Sequence, residues 1–348
     1  MKPVIVPFFI SHQGCPHDCI FCDQRLISGS YGALPTAEAI CSTIAEWQGS
    51  CGARLLEIAY FGGSFTMLSK EDQISLLEPL QPFLKSAEIS AVRVSTRPDG
   101  IGAESVNLLK EYGVSLVELG VQSMDDDVLR RANRGHTADD IRRAFQILHS
   151  AGIGVGAQMM PGLPGDTAEG ALASFREIIG LKPDCIRIYP ALVLKGTALA
   201  RLYEAGEYQP LTLPDAVSLC KAMLHEAELA KIPVIRVGLQ ATDELTTDSQ
   251  VLAGPCHPAL RQLAESERWF DLLKELLGEF RRGERLQLRV SPPELSNLIG
   301  QKRTNIVRLE ETFGVKILSI TPDSSVVAGR VFMMSDRTGV HGDLLGDV

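Results

Sequence analysis

Between residue 4 and about residue 240, short apolar runs rich in Val, Ile, Phe and Tyr alternate with longer stretches in which apolar positions recur every three or four residues. A short apolar run bounded by turn residues reads as a buried strand, and the longer spacing reads as an amphipathic helix. The pattern predicts strands over Val4–Ile10, Leu55–Phe61, Ala91–Ser95, Leu116–Gly120, Gly154–Met160 and Cys185–Pro190. It predicts helices over Thr36–Trp47, Ser69–Lys85, Glu104–Tyr112, Ala138–His149 and Ala168–Ile179. Two of these run out at KEYG and HSAG, where glycine supplies a left-handed cap. Strands and helices in alternation build parallel sheets, so the expected class is α/β, repeated β-α units around a parallel sheet or barrel over residues 1–240.

Each strand is followed by polar or glycine-rich residues: SHQGC, GGSF, STRPDG, GVQS and PGLPGDT. In a parallel β/α fold the loops at the carboxyl ends of the strands converge on one face, where ligands bind. The unusual residues are therefore expected at one mouth.

The pattern changes after VIRVGLQATDE, and residues 241–284 read as a helical connecting segment. From 285 to 335 the order is strand RLQLRV, helix PPELSNLI, turn GQKR, helix TNIVRLEETFG, then strands VKILSI and SVVAGRVFMM. This predicts a small α+β domain, with residues 336–348 as a polar tail.

Composition narrows the function. The 348 residues are 45% hydrophobic and 22% charged, enough for a sizeable core. A formal charge of −9 argues against binding polyanions over the whole surface, while leaving room for a local basic patch. One candidate is residues 281–316, with eight basic side chains against four acidic. No apolar run is long enough to span a bilayer, and MKPVIVPFFISHQG lacks a small-residue cleavage site. A cytoplasmic protein is the expectation, and its eight cysteines are expected in metal binding, catalysis or the core rather than in disulfides. Cys41, Cys51, Cys185 and Cys220 fall in helical or strand-like runs and read as small buried apolar residues.

Three cysteines differ from the rest. Cys15, Cys19 and Cys22 fall within eight residues, just after the first strand. Thiolates are soft ligands for zinc or iron–sulfur clusters. Structural zinc needs a fourth protein ligand, for which His12, His17 or Cys256 is available, whereas a cubane cluster held by three cysteines keeps one iron open.

The stretch CPHDCIFC, Cys-x3-Cys-x-aromatic-Cys, resembles the radical S-adenosylmethionine (SAM) superfamily. The resemblance implies a partial (β/α)6 barrel of TIM type over residues 1–240, a 4Fe-4S cluster on Cys15, Cys19 and Cys22 whose open iron chelates SAM, and a 5'-deoxyadenosyl radical that takes hydrogen from substrate. It also implies a reductant such as flavodoxin or ferredoxin. Gly62, Gly63 and Ser64 match the family's Gly-Gly-Glu motif, with Ser64 where glutamate is usual. Ser95, Gln122 and Gln158 match ribose contacts, Arg134 a carboxylate contact, Gly162 the backbone near adenine, and Phe21 an aromatic packed on adenine.

The wording STRPD, LELGVQSMDDDVLRRANRGHT, MPGLPGD and IRVGLQAT is most similar to the Elongator catalytic subunit, which modifies wobble uridines in transfer RNA. No acetyltransferase-like glycine-rich loop is found, so the resemblance is to the radical half alone. LSNLIGQKRTNIVRLEETFGVKI resembles a KH RNA-binding module with Arg303 in place of the second glycine of its GxxG loop. Lys302 and Arg303 would then pair with phosphate directly. The expected enzyme modifies RNA such as transfer RNA. One alternative is an oxygen-independent porphyrin-type oxidoreductase, which shares the GVQS and GLP loops; another is an RNA-binding adaptor with a structural metal site.

Overall fold

The computed structural model describes residues 3–29, 32–52, 54–239 and 250–346. The chain folds as two units, Met1–Leu211 with Ile232–Cys256, and Thr212–Lys231 with His257–Val348. The expected segment boundary at 240/241, and residues 241–249 after it, lie outside the described residues.

The first unit is built on β1 (Val4–Phe9), β2 (Leu56–Phe61), β3 (Ile89–Thr96), β4 (Val114–Gln122), β5 (Gly154–Met159) and β6 (Cys185–Ile188), followed by a two-residue strand β7 (Val193–Leu194) and by β8 (Val234–Val237). The sheet order is β1-β2-β3-β4-β5-β6-β8, with every pairing parallel. Among the described residues the partial barrel thus has seven strands rather than six. VIRV stops at Gly238, where CIRI runs on into Tyr189, and β8 gains its place by pairing with β6. β7 pairs antiparallel with β9 (Val251–Ala253), inside the segment expected to be helical.

Alternate residues divide the sheet into two faces. Ile58, Tyr60, Val92, Val94, Val117, Leu119, Val155 and Ile186 are buried on the helix side, where the Tyr60 hydroxyl donates to the Leu76 carbonyl at 2.5 Å. The other face is charged. Arg93 joins Glu57 and Glu118, and Glu118 continues to Arg187 at 3.0 Å across β5. Gly156 permits that reach, since a Cβ there would lie 3.1 Å from both Glu118 Cγ and Cys185 Sγ.

The helices fall near their expected places, with one difference. The stretch expected as one helix over Ser69–Lys85 breaks into Lys70–Leu77, a 3-10 turn Glu78–Leu80, and Gln81–Lys85. Pro79 and Pro82 each lack the N–H a continuous helix needs.

In the second unit, β10 (Arg285–Val290), β11 (Lys316–Pro322), β12 (Arg330–Met334) and β13 (Gly339–Asp343) form a sheet of order β11-β10-β12-β13. β10 and β11 are parallel, joined through the helices Leu295–Ile299 and Thr304–Phe313 as expected, and the other two pairings are antiparallel. Trp269, Leu273, Leu288, Ile306, Val331 and Met333 lie in its core. The helix Leu213–Leu229 packs here on Leu260–Leu276, with Lys221 Nζ 2.6 Å from Asp271 Oδ2. The expected polar tail is β13, whose sequence GVHGD has no strand alternation to betray it. Its Gly342 lies where a Cβ would meet Leu272 Cδ1 at 2.8 Å, so the strand forms by close approach rather than by apolar content.

Candidate metal and cofactor site

The cysteine loop and the glycine loop after β2 are zipped together by main chain. Ile10 N–H donates to Phe61 O at 2.8 Å, His12 N–H to Gly62 O at 2.9 Å, and Ser64 N–H to Gln13 O at 2.9 Å. Two glycines make the contact possible. A Cβ on Gly14, at φ +71°, would lie 2.4 Å from Ser64 O, and one on Gly63 would lie 2.5 Å from both Gln13 O and Ile10 O.

All three thiols are free. Cys15 is exposed, with Sγ 3.4 Å from Ser64 Oγ. Cys19 accepts from Arg134 Nη1 at 3.0 Å, and Cys22 from Gln24 Nε2 at 3.5 Å. Burial, then the neighbouring Cys19, pushes the Cys22 thiol up to about 12. Binding iron would displace that proton, because a ligating thiol is deprotonated.

Among the described residues no three His, Cys, Asp or Glu side chains converge as a single-ion site requires. The fourth ligands considered for zinc have other surroundings. His12 Nε2 accepts from Gln24 N–H at 2.9 Å, which caps the start of the helix Gln24–Ser28. The His17 ring covers Gly135, where a Cβ would lie 2.3 Å from Nε2. Cys256 is exposed, in a turn closed by its N–H to Gly254 O at 2.9 Å.

Arg134 is 7% exposed and lies beside the loop. Its Nη2 donates to Gly120 O at 2.8 Å, and its Nε is buried without a partner. Behind it stands a group that the sequence reading did not single out. Arg97 grips Asp99 with two bonds of 3.0 Å and donates to the Arg134 carbonyl, fixing the backbone that carries the guanidinium. His136 is buried beside them, with Nδ1 3.9 Å from Asp99, beyond hydrogen-bond reach. Burial, then the Arg134 and Arg97 charges, pushes it down to about 3.

β4 ends in a bulge. Gly120 pairs with Gln158 and Gln122 with Met159, leaving Val121 over. Gln122 takes φ +68°, and its buried Oε1 has no partner. Bulges re-aim side chains next to active sites. Ser95 and Gln158 are half-buried on the charged face of the sheet. Gly162, at φ +85°, donates N–H to Asp166 Oδ2 at 2.8 Å, while its carbonyl accepts from the Tyr208 hydroxyl at 2.6 Å. Burial pushes that carboxyl up to about 6.

Phe21 is 8% exposed in an apolar cluster with Val128, Leu163 and Leu199, and the Arg134 guanidinium lies 6.0 Å from its ring centre. Ile20 N–H to Ala132 O at 3.2 Å and Leu199 N–H to Ile20 O at 2.7 Å pull the chain inward there.

In the second unit, Lys302 and Arg303 are exposed and both left-handed, at φ +51° and +63°. Arg303 thus keeps a backbone shape that suits glycine.

Residues 9–178 match the model of the radical SAM superfamily, and residues 183–269 that of the radical SAM C-terminal domain. The chain is 37% identical over 150 residues to a tRNA uridine(34) acetyltransferase of Methanocaldococcus jannaschii, covering 42% of this chain and only 28% of that protein. It is 33% identical over 225 residues to an uncharacterized protein of the same organism, covering 61% and 69%. The solved structure of Methanocaldococcus infernus Elp3, deleted of residues 1–46, superposes with a TM-score of 0.61 at 20% identity, over 95% of this chain and 74% of that one.

Proposed function

This chain belongs to the radical SAM superfamily, and on that premise we propose that it generates a 5'-deoxyadenosyl radical to modify RNA, with transfer RNA as the substrate. When bound, a 4Fe-4S cluster supplies an electron to SAM, and the radical released takes hydrogen from substrate. Cys15, Cys19 and Cys22 would hold the cluster. The observation that carries the reading is the set of three free thiols on a loop locked to Gly63 and Ser64, with Arg134 already donating to Cys19.

The residues present fit both cofactors. Arg134 Nε and Gln122 Oε1 are buried polar atoms that still want partners, one a donor and one an acceptor. Arg134 supports the negative charge of a thiolate at Cys19 through its N–H. Gly62, Gly63 and Ser64 bring main chain close to the loop, where the amino group of SAM would bind, and Ser95, Gln122, Gln158 and Gly162 would hold its nucleoside. The charged ladder Glu57–Arg93–Glu118–Arg187 braces the strands that carry them.

Similarity to proteins named for tRNA uridine modification favours RNA over the porphyrin-type alternative. Lys302 and Arg303 support the same choice, as exposed cations ahead of the helix Thr304–Phe313. Anaerobically reconstituted protein is expected to form 5'-deoxyadenosine from SAM and a strong reductant, faster with unmodified transfer RNA, and Cys19→Ala to form none. Zinc without acid-labile sulfide would favour the adaptor reading, and an intact cluster with no cleavage would overturn the radical one.

A further inference from the structure

The second unit carries a row of flat side chains on the sheet face turned away from its core. In register, Thr321, Arg289, Phe332 and His341 stand side by side across β11, β10, β12 and β13. Their neighbours along the strands, Leu288, Val290, Val331 and Met333, fill the core on the other side. The Arg289 guanidinium lies 5.3 Å from the Phe332 ring centre, and the Phe332 and His341 rings are 5.8 Å apart at 33°. The next row adds Met334, which is 39% exposed.

We infer that this sheet face is a stacking platform for single-stranded RNA, an inference that rests on RNA being the substrate. Nucleobases stack on aromatic rings and equally on guanidinium planes, and do so with little regard to sequence. A row of guanidinium, phenyl and imidazole therefore offers adjacent stacking surfaces. Charge selects the occupant. Residues 281–343 hold ten Lys and Arg against seven Asp and Glu, in a chain whose overall charge is −9. That local excess of positive charge suits a polyanion better than an apolar peptide, with the Arg289 guanidinium held in place by Asp323 at 3.2 Å. A duplex hides its base faces in its own stack, so the platform discriminates single strands from double. It is also distinct from the Lys302–Arg303 loop, which joins the helices packed on the opposite face of the sheet.

The test is fluorescence anisotropy of the full chain with a labelled single-stranded oligoribonucleotide about a dozen residues long, and with its duplex. The parent is expected to prefer the single strand, and Phe332→Ala to weaken binding about tenfold. Phe332→Trp is expected to keep binding, with its indole fluorescence quenched as RNA is added, which separates lost stacking from lost folding. Phe332→Ala and His341→Ala binding like the parent, while Lys302→Glu with Arg303→Glu abolishes binding, would overturn the platform and leave the RNA reading intact. A parent that binds no RNA would overturn both. An indole signal in Phe332→Trp that responds to protein concentration and not to RNA would assign the face to a second copy of the chain.

Discussion

At Arg134 one guanidinium meets a cysteine sulfur and a carbonyl oxygen, and its own carbonyl is held by Arg97. That arrangement needs His136 neutral, because a third positive charge there would be buried beside two others. The folded pKa of about 3 lies below the ordinary 6.5. Below that ordinary value the unfolded chain binds a proton that the folded chain refuses, so stability is lost as pH falls through about 6.5 toward 3. The melting temperature of the parent is expected to drop more steeply between about pH 7 and about pH 5 than that of His136→Gln, as followed by circular dichroism. Equal slopes would show that His136 titrates normally. Cys15, Cys19 and Cys22 were legible in the sequence because few chemistries need three thiols at that spacing. Arg97, Asp99 and His136 were not, because their role exists only once the loops after β3 and β4 meet. The surroundings of Phe21 were not legible for a related reason, since Val128, Leu163 and Leu199 reach it from far along the chain.

At the scale of elements, β1 to β6 stood out as short runs rich in β-branched and other apolar residues, although Glu57, Arg93, Glu118 and Arg187 interrupt four of them. β8 and β13 did not, because VIRV stops at Gly238 where CIRI runs on into Tyr189, and β13 is held by pairing and a glycine contact. The loops show how elements make a site. Gly63 touches two carbonyls of the cysteine loop, so an added methyl must push that loop away from the loop after β2. Gly63→Ala is expected to destabilise the first unit by about 1–3 kcal/mol. It should also lower iron incorporation on reconstitution, and iron and sulfide contents equal to the parent's would refute the interlock.

For the whole molecule, two units with buried apolar cores of their own predict two separable responses. Truncation after Thr338 removes β13, and with it Val340 and Leu344 from the second core. That change is expected to lower one calorimetric transition by about 5 °C or more while leaving iron content unchanged. Loss of iron would instead refute that separation. The open sheet of the first unit has a consequence of its own. Its order runs from β1 to β8 without rejoining, so it forms a trough rather than a tube. A tube receives a molecule through its ends, and a link in a long polymer would have to be threaded. If RNA is the substrate as proposed, a trough would let it lie across the rim while a single residue dips in, so chain length on either side would be no obstacle.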